Sequence, residues 1–128
     1  MTLLNTEVAV VGGGMVGGAL ALGLAQQGFD VIVIEQAAPP VFDPSSQPDV
    51  RISAISASSV DLLRGLGVWE AVLAMRAHPY SRLETWEWEN AHVSFDAAEL
   101  KLPRLGYMVE NNVLQQALWQ ALEAHPKV

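Results

Sequence analysis

The chain has 128 residues, of which 51% are hydrophobic, enough to bury one core. Its formal net charge of −7 argues against a nucleic-acid partner, and the lack of cysteine excludes disulfides, thiolate metal sites and cysteine nucleophiles. No apolar run reaches the about 20 residues of a membrane-spanning helix, and no secretory signal precedes the first strand, so we expect a cytoplasmic protein, soluble or peripheral to a membrane.

A predicted strand–turn–helix unit opens the chain. Residues 8–11 form an unbroken apolar run typical of a covered parallel strand, and glycines follow in the order G-x-G-x-x-G. Gly12 is expected to make the tight turn, Gly14 to let the backbone approach a pyrophosphate, and Gly17 to let helix and strand pack closely. The helix, predicted over residues 14–27 and capped by Gly28, would hold the diphosphate on its free N–H groups. The candidate cofactor-binding residues of the turn are Gly12, Gly13, Gly14, Met15, Val16 and Gly17.

A second strand is predicted over residues 31–34, and Glu35 ends it. Glu35 follows the glycines at about the 20-residue distance expected of a ribose-binding acid. Its carboxylate can accept hydrogen bonds from both ribose hydroxyls, and it would repel the 2′-phosphate of NADP. Glu35 and the adjacent Gln36 are therefore candidate cofactor ligands. The alternative is an ordinary βαβ unit with a surface glutamate at a strand end.

A proline-rich stretch, residues 37–50, predicts a loop that is either functional or a disordered linker in its middle. Arg51 follows it. Its planar guanidinium suits a diphosphate, but a surface arginine paired with Asp49 explains the position equally well.

Two short helices are predicted next. Ser58 or Ser59 would cap a helix that runs to Leu66, and residues 69–77 would form another.

An antiparallel hairpin is predicted in the middle of the chain. Residues 83–89 alternate, with Trp86 and Trp88 on one face, and a turn at residues 90–91 leads into residues 93–95. Such a pair does not belong to a parallel sheet and indicates a second layer, where substrate-binding regions often lie. The tryptophans either line a ring-binding pocket or, as is more common, pack in a core.

The chain closes with a predicted strand over residues 107–110 and a helix that reaches residue 124, capped by Asn111 or Asn112. The apolar stripe of this helix comprises Val113, Leu114, Ala117, Leu118, Ala121 and Leu122, and its solvent side comprises Gln115, Gln116, Gln120 and Glu123. The three histidines are scattered without metal-ligand spacing, and no nucleophile–base pair is evident.

With these residues, the chain resembles the flavin-dependent aromatic hydroxylases of ubiquinone biosynthesis, in the para-hydroxybenzoate hydroxylase-like class. The resemblance covers all 128 residues but about the first third of such an enzyme. It rests on the glycine turn and, more specifically, on the block Gln-Pro-Asp-Val-Arg-Ile-Ser-Ala-Ile-Ser at residues 47–56. Residues 66–69, 84–88 and 108–114 also resemble this family.

The resemblance implies an α/β fold: a Rossmann-like FAD-binding βαβ domain with a parallel sheet, followed by the start of an antiparallel β substrate layer. Residues 1–128 would be the N-terminal part of the FAD-binding domain, with residues 80–106 belonging to or facing the substrate layer. The remainder of the enzyme would follow. FAD rather than NAD would occupy the glycine pocket, with Glu35 on the adenosine ribose and Arg51 along the diphosphate and ribityl side. Asn111 stands where many relatives place an arginine near the cofactor.

The implied activity is hydroxylation of a prenylated methoxy-methyl-benzoquinol with NAD(P)H and O₂, with the 128-residue segment inactive alone. No side chain has to be a catalytic acid or base. The prenylated substrate implies contact with the inner-membrane surface or with other ubiquinone-biosynthesis proteins. Two alternatives remain, an NAD-dependent Rossmann dehydrogenase, which needs the glycines and Glu35 alone, and a non-catalytic nucleotide-binding module.

Overall fold

Three small sheets and four α-helices make up the structure, a computed structural model that describes residues 1–128. The strands are β1 (Val8–Val11), β2 (Val31–Ile34), β3 (Ile52–Ser56), β4 (His78–Tyr80), β5 (Arg82–Trp86), β6 (His92–Asp96) and β7 (Gly106–Glu110). The helices are α1 (Met15–Gln26), α2 (Ala57–Gly65), α3 (Trp69–Met75) and α4 (Asn111–Ala124), with a 3₁₀ helix at Ala97–Leu100.

The first sheet pairs β1 and β2 in parallel, from Val8 opposite Val31 to Val11 opposite Ile34. Helix α1 connects the two strands, so the predicted βαβ start of the fold is confirmed. Gly28 follows the end of α1 with a φ of 97°, the left-handed backbone that glycine adopts most readily.

The second sheet is antiparallel, in the order β3-β7-β4. Of its strands, only β7 was predicted. Strand β4 has three residues around Pro79, too few for a visible alternation, and proline is tolerated there because β4 is an edge strand. The sequence does not predict strand β3, because Ile-Ser-Ala-Ile-Ser has no strong apolar run. Its pairing with β7 defines it as a strand.

The third sheet is the predicted hairpin, with β5 and β6 antiparallel and separate from the parallel sheet. The prediction that its tryptophans pack in a core is wrong. Trp86 is 69% exposed and Trp88 is 74% exposed, because the hairpin forms a sheet of its own and these side chains project into solvent.

The predicted cap of α2 is displaced. Ser56, with an extended backbone, is the N-cap, and its hydroxyl accepts a hydrogen bond from the Ser59 N–H. Ser58 and Ser59 lie inside the helix, where their backbone no longer has the extended conformation of a cap.

The predicted asparagine cap of α4 is also wrong. Glu110 occupies the N-cap position without a side-chain bond to the helix, and Asn111 and Asn112 lie in the first turn. Their side chains bond elsewhere, Asn111 Oδ1 to the Ser53 hydroxyl at 2.6 Å and Asn112 Nδ2 to Asp49 Oδ2 at 3.0 Å.

The core lies where α4 packs against α1 and α3. The apolar stripe predicted for α4 is buried at Val113, Leu114, Ala117, Leu118 and Leu122. No helix of the structure is both long enough and apolar enough to cross a bilayer.

Candidate cofactor site

Each glycine of the β1–α1 turn meets a different physical requirement. Gly12 has a φ of 103°, a left-handed conformation that side chains disfavour. A Cβ on Gly17 would lie 1.9 Å from the Gly12 carbonyl oxygen, so helix and turn approach too closely for any side chain. A Cβ on Gly14 would meet no atom within 4 Å, which leaves open space directly over the backbone. The turn therefore has the shape that a bound diphosphate requires.

The N-terminus of α1 opens onto this space. Gly14 is the N-cap, with an extended backbone, and its carbonyl accepts from the Gly18 N–H at 2.8 Å. The N–H groups of Met15, Val16 and Gly17 precede that bond and have no acceptor within the helix. Free N–H groups and the helix dipole together favour an anion here.

Glu35 lies beside the turn at the end of β2. Its Oε2 accepts from the Gly13 N–H at 2.7 Å, and its Oε1 accepts from the N–H groups of Gln36 at 2.7 Å and Ala37 at 3.3 Å. The Gly13 N–H bond, and then those from Ala37 and Gln36, hold the pKa of the Glu35 carboxyl below its ordinary 4.5, against a smaller opposing effect of burial. Glu35 is thus an ionised acceptor at the position predicted for a ribose ligand.

These bonds predict a pH-dependent role for Glu35 in stability. The pKa of Glu35 is lower in the folded than in the unfolded state. Its contribution to the free energy of unfolding is therefore complete above pH 4.5 and is lost as the pH falls through the lowered pKa. We expect Glu35→Gln to reduce the thermal unfolding midpoint at pH 7, and this difference from the unmodified protein to shrink below pH 4.5. Unfolding curves between pH 7 and pH 3 test this. Glu99→Gln, at an exposed position, serves as the control, and a difference that stays constant with pH would contradict the prediction.

Arg51 and Asn111, also predicted as cofactor ligands, lie together where β3 begins beside the start of α4. The Asn111 N–H donates to the Arg51 carbonyl at 3.0 Å. The alternative that Arg51 pairs with Asp49 through its guanidinium is wrong, because Asp49 Oδ1 accepts from the Arg51 backbone N–H instead, at 3.1 Å. The exposed Arg51 guanidinium forms no hydrogen bond or salt bridge and is available to an anion.

The proline-rich loop before Arg51 is fastened to the body of the fold. The Phe42 N–H donates to Gln116 Oε1 at 2.6 Å, and the Asp49 N–H donates to Glu110 Oε1 at 2.8 Å. Arg76 reaches the same loop, since its Nη2 donates to the Ser46 carbonyl at 2.9 Å. These bonds thereby fix the position of Arg51, which directly precedes β3.

Helix α4 contacts both Arg51 and the glycine turn. Asn111 stands at its start beside Arg51, and further along the helix Gln115 and Trp119 reach the glycine turn at Gly13. Sequence reasoning missed these two residues and placed Gln115 on the solvent side, yet it is half-buried. Their i, i+4 spacing shows that they share a helix face, but not that this face meets the turn.

Comparison with known proteins shows the family of the chain. Residues 5–128 match the model of a protein family described as the FAD binding domain. The chain belongs to that family. The cofactor of this family is FAD, and the match therefore supports the prediction of FAD over NAD.

Curated relatives include 3-demethoxyubiquinol 3-hydroxylase of Escherichia coli strain K12, 80% identical over 128 residues, which are all of this chain and 33% of that protein. The human mitochondrial ubiquinone biosynthesis monooxygenase COQ6 is 34% identical over 127 residues, which are 92% of this chain and 26% of that protein. The chain therefore spans about a quarter to a third of the length of these relatives.

Solved structures share the fold at low identity. PqsL of Pseudomonas aeruginosa superposes with a TM-score of 0.71 at 18% identity, covering 96% of this chain and 32% of that one. The p-nitrophenol 4-monooxygenase PnpA of Pseudomonas putida superposes with a TM-score of 0.68 at 21% identity, covering 100% of this chain and 31% of that one. The combination of a parallel βαβ unit with antiparallel sheets is thus shared with about a third of each of these proteins.

Proposed function

We propose that the protein is an FAD-dependent monooxygenase that hydroxylates a prenylated methoxy-methyl-benzoquinol in ubiquinone biosynthesis. The observation that carries this proposal is the 80% identity, over every residue of the chain, to a 3-demethoxyubiquinol 3-hydroxylase. The open, anion-favouring turn and the free guanidinium supply a physical reason why this part of the protein binds the cofactor.

Different residues of the site would bind different parts of the cofactor. The N–H groups that follow Gly12 and Gly13, at Gly14, Met15, Val16 and Gly17, receive the diphosphate, and Glu35, followed by Gln36, accepts from the adenosine ribose. Arg51 would neutralise the diphosphate and hold the ribityl side of the cofactor. Asn111 supports it through the backbone bond to the Arg51 carbonyl.

The redox chemistry belongs to the flavin, which carries electrons from NAD(P)H to O₂ when bound. One oxygen atom enters a ring C–H bond to give a hydroxyl, the other leaves as water, and NAD(P)H with one proton is consumed to give NAD(P)⁺. This chain has to bind and orient the cofactor, and none of its side chains has to act as an acid or base. The lipid tail of the substrate implies that the protein works at a membrane surface, or beside other ubiquinone-biosynthesis proteins that pass it the substrate.

Replacing Gly14 by valine separates cofactor binding from folding. Because a Cβ at Gly14 meets no protein atom within 4 Å, Gly14→Val should leave the unfolding midpoint of the flavin-free protein within about 4 °C, the cost of about 1 kcal/mol expected for valine at an N-cap. The same side chain occupies the space that the diphosphate needs, so flavin should be lost on purification. Gly65→Val is the matched control, since Gly65 also has no atom within 4 Å of an added Cβ and lies outside the site. Retention of flavin by Gly14→Val would remove the turn from the cofactor site.

The function itself is tested on the whole gene product. Its visible absorbance spectrum should show flavin bands, and incubation with a short-chain demethoxyubiquinol, NADH and O₂ should give the hydroxylated ring. Bound NAD without flavin would instead support the dehydrogenase alternative. Flavin without any hydroxylated product would reject the proposed substrate and leave the FAD site intact.

A further inference from the structure

Two side chains of helix α4 bond to the cofactor turn at the carbonyl oxygen of Gly13. That oxygen accepts two hydrogen bonds, from Gln115 Nε2 at 2.8 Å and from Trp119 Nε1 at 2.7 Å. Both side chains are half-buried, and Gly13 is buried. Two side-chain donors thus converge on a single backbone acceptor inside the proposed binding turn.

Gly13 is also held through its N–H group. Its N–H donates to Glu35 Oε2 at 2.7 Å. A Cβ added to Gly13 would lie 3.1 Å from Glu35 Cβ and 3.1 Å from Trp119 Cζ2. The residue is therefore packed against both Glu35 and Trp119, and both its N–H and its carbonyl are hydrogen-bonded.

The direction of the Gly13 carbonyl determines the direction of the next N–H. All peptide bonds in the chain are trans, and in a trans peptide the C=O and the N–H that follows point in opposite directions. With the Gly13 carbonyl turned towards α4, the Gly14 N–H is turned away from α4. It lies at the N-cap of α1, where Gly14 has open space above it.

We propose that Gln115 and Trp119 are positioning residues for the cofactor turn. They hold the Gly13–Gly14 peptide in the orientation that presents the Gly14 N–H to the diphosphate of FAD. The inference rests on the proposed FAD site. Without these two donors the peptide samples other orientations, and FAD binds only the fraction of molecules with the correct one, so its apparent affinity falls by that fraction.

The test uses variants that remove each donor and little else. Gln115→Met removes the amide, and Trp119→Phe removes the ring N–H while keeping an aromatic ring beside Glu35. Gln120→Met, at an exposed position on the same helix, and Trp88→Phe, in the exposed hairpin turn, repeat the same chemical changes away from Gly13. All are made in the whole gene product, stripped of flavin and titrated with FAD by calorimetry.

Each site variant should raise the Kd for FAD about 2- to 10-fold, the worth of one hydrogen bond, and the double variant should raise it further. Turnover at saturating FAD should be unchanged, because the bound state is the same. The two controls should keep the Kd of the unmodified protein. If the unmodified protein did not bind FAD, that result would count against the proposed function and not against this inference.

A Kd for FAD within twofold of the unmodified protein in the double variant, with a lowered unfolding midpoint, would overturn the inference. The two bonds would then hold α4 on the fold without setting the geometry of the turn. A fall in turnover at saturating FAD with an unchanged Kd would overturn it equally, because the effect would then lie outside cofactor binding.

Discussion

Gly17→Ala should lower the free energy of unfolding by about 3 kcal/mol and abolish FAD retention. The added Cβ would lie 1.9 Å from the Gly12 carbonyl oxygen and 3.0 Å from the Gly12 carbonyl carbon. These are backbone atoms, so no side-chain rotation relieves the contact. Either α1 moves away from β1 or the Gly12 turn changes shape, and both changes displace the N–H groups that face the diphosphate.

Gly23→Ala is the matched control, because Gly23 lies in the same helix. Its added Cβ would meet Leu66 Cδ2 at 3.7 Å, an ordinary contact, so alanine there should raise stability by about 0.5–1 kcal/mol through its higher helix propensity. Denaturant unfolding and the flavin spectrum measure both effects. An unfolding free energy for Gly17→Ala equal to that of the unmodified protein would show that helix and turn are not packed as closely as described.

Glu110→Ala should be the most damaging change outside the glycine turn, with a loss of about 3 kcal/mol. Glu110 is 8% exposed. Its Oε2 lies 3.2 Å from Arg76 Nη1 as an ion pair that lacks hydrogen-bond alignment, and its Oε1 accepts from the Asp49 N–H at 2.8 Å. Removing the carboxylate leaves a largely buried cation and a free N–H, and it releases the loop that leads into Arg51. We therefore expect weaker FAD binding together with the loss of stability.

The control is the surface pair of Asp61 and Arg64. Its two charged atoms are closer, at 2.9 Å, but the side chains are 75% and 57% exposed. Asp61→Ala should cost no more than about 0.5 kcal/mol, since water screens such pairs. A double-mutant cycle with Arg76→Met separates the ion pair from the bond to the Asp49 N–H. A loss for Glu110→Ala as small as that for Asp61→Ala would contradict the structural role of the pair.

Features that depend on near neighbours in the chain were predicted from the sequence. The apolar run before Gly12, the glycine spacing and Glu35 at the end of the next strand predicted the βαβ unit and the turn. The stripe from Val113 to Leu122 on α4 is likewise local, because a helix of period 3.6 repeats it every turn. The hairpin followed from alternation over a few residues.

Features that depend on distant partners were not predicted. Strand β4 is three residues long and is visible only because it pairs with β7. Ser56 rather than Ser58 caps α2, because the path of the backbone out of β3 places the extended residue there. The exposure of Trp86 depends on whether another layer covers the hairpin, and no local pattern contains that information.

The candidate site divides in the same way. The sequence by itself predicted the turn residues and Glu35 as the ribose acid, because each requires a residue type at a fixed spacing from its neighbours. The role of the Arg51 block was predicted from the resemblance to a family, since spacing alone left it open. Only the tertiary structure decided that the Arg51 guanidinium is free of Asp49 and that Gln115 and Trp119 meet Gly13. The contacts of Gln115 and Trp119 with Gly13 join residues about one hundred positions apart. The packing of α4 against α1 decides which polar side chains of α4 reach the turn.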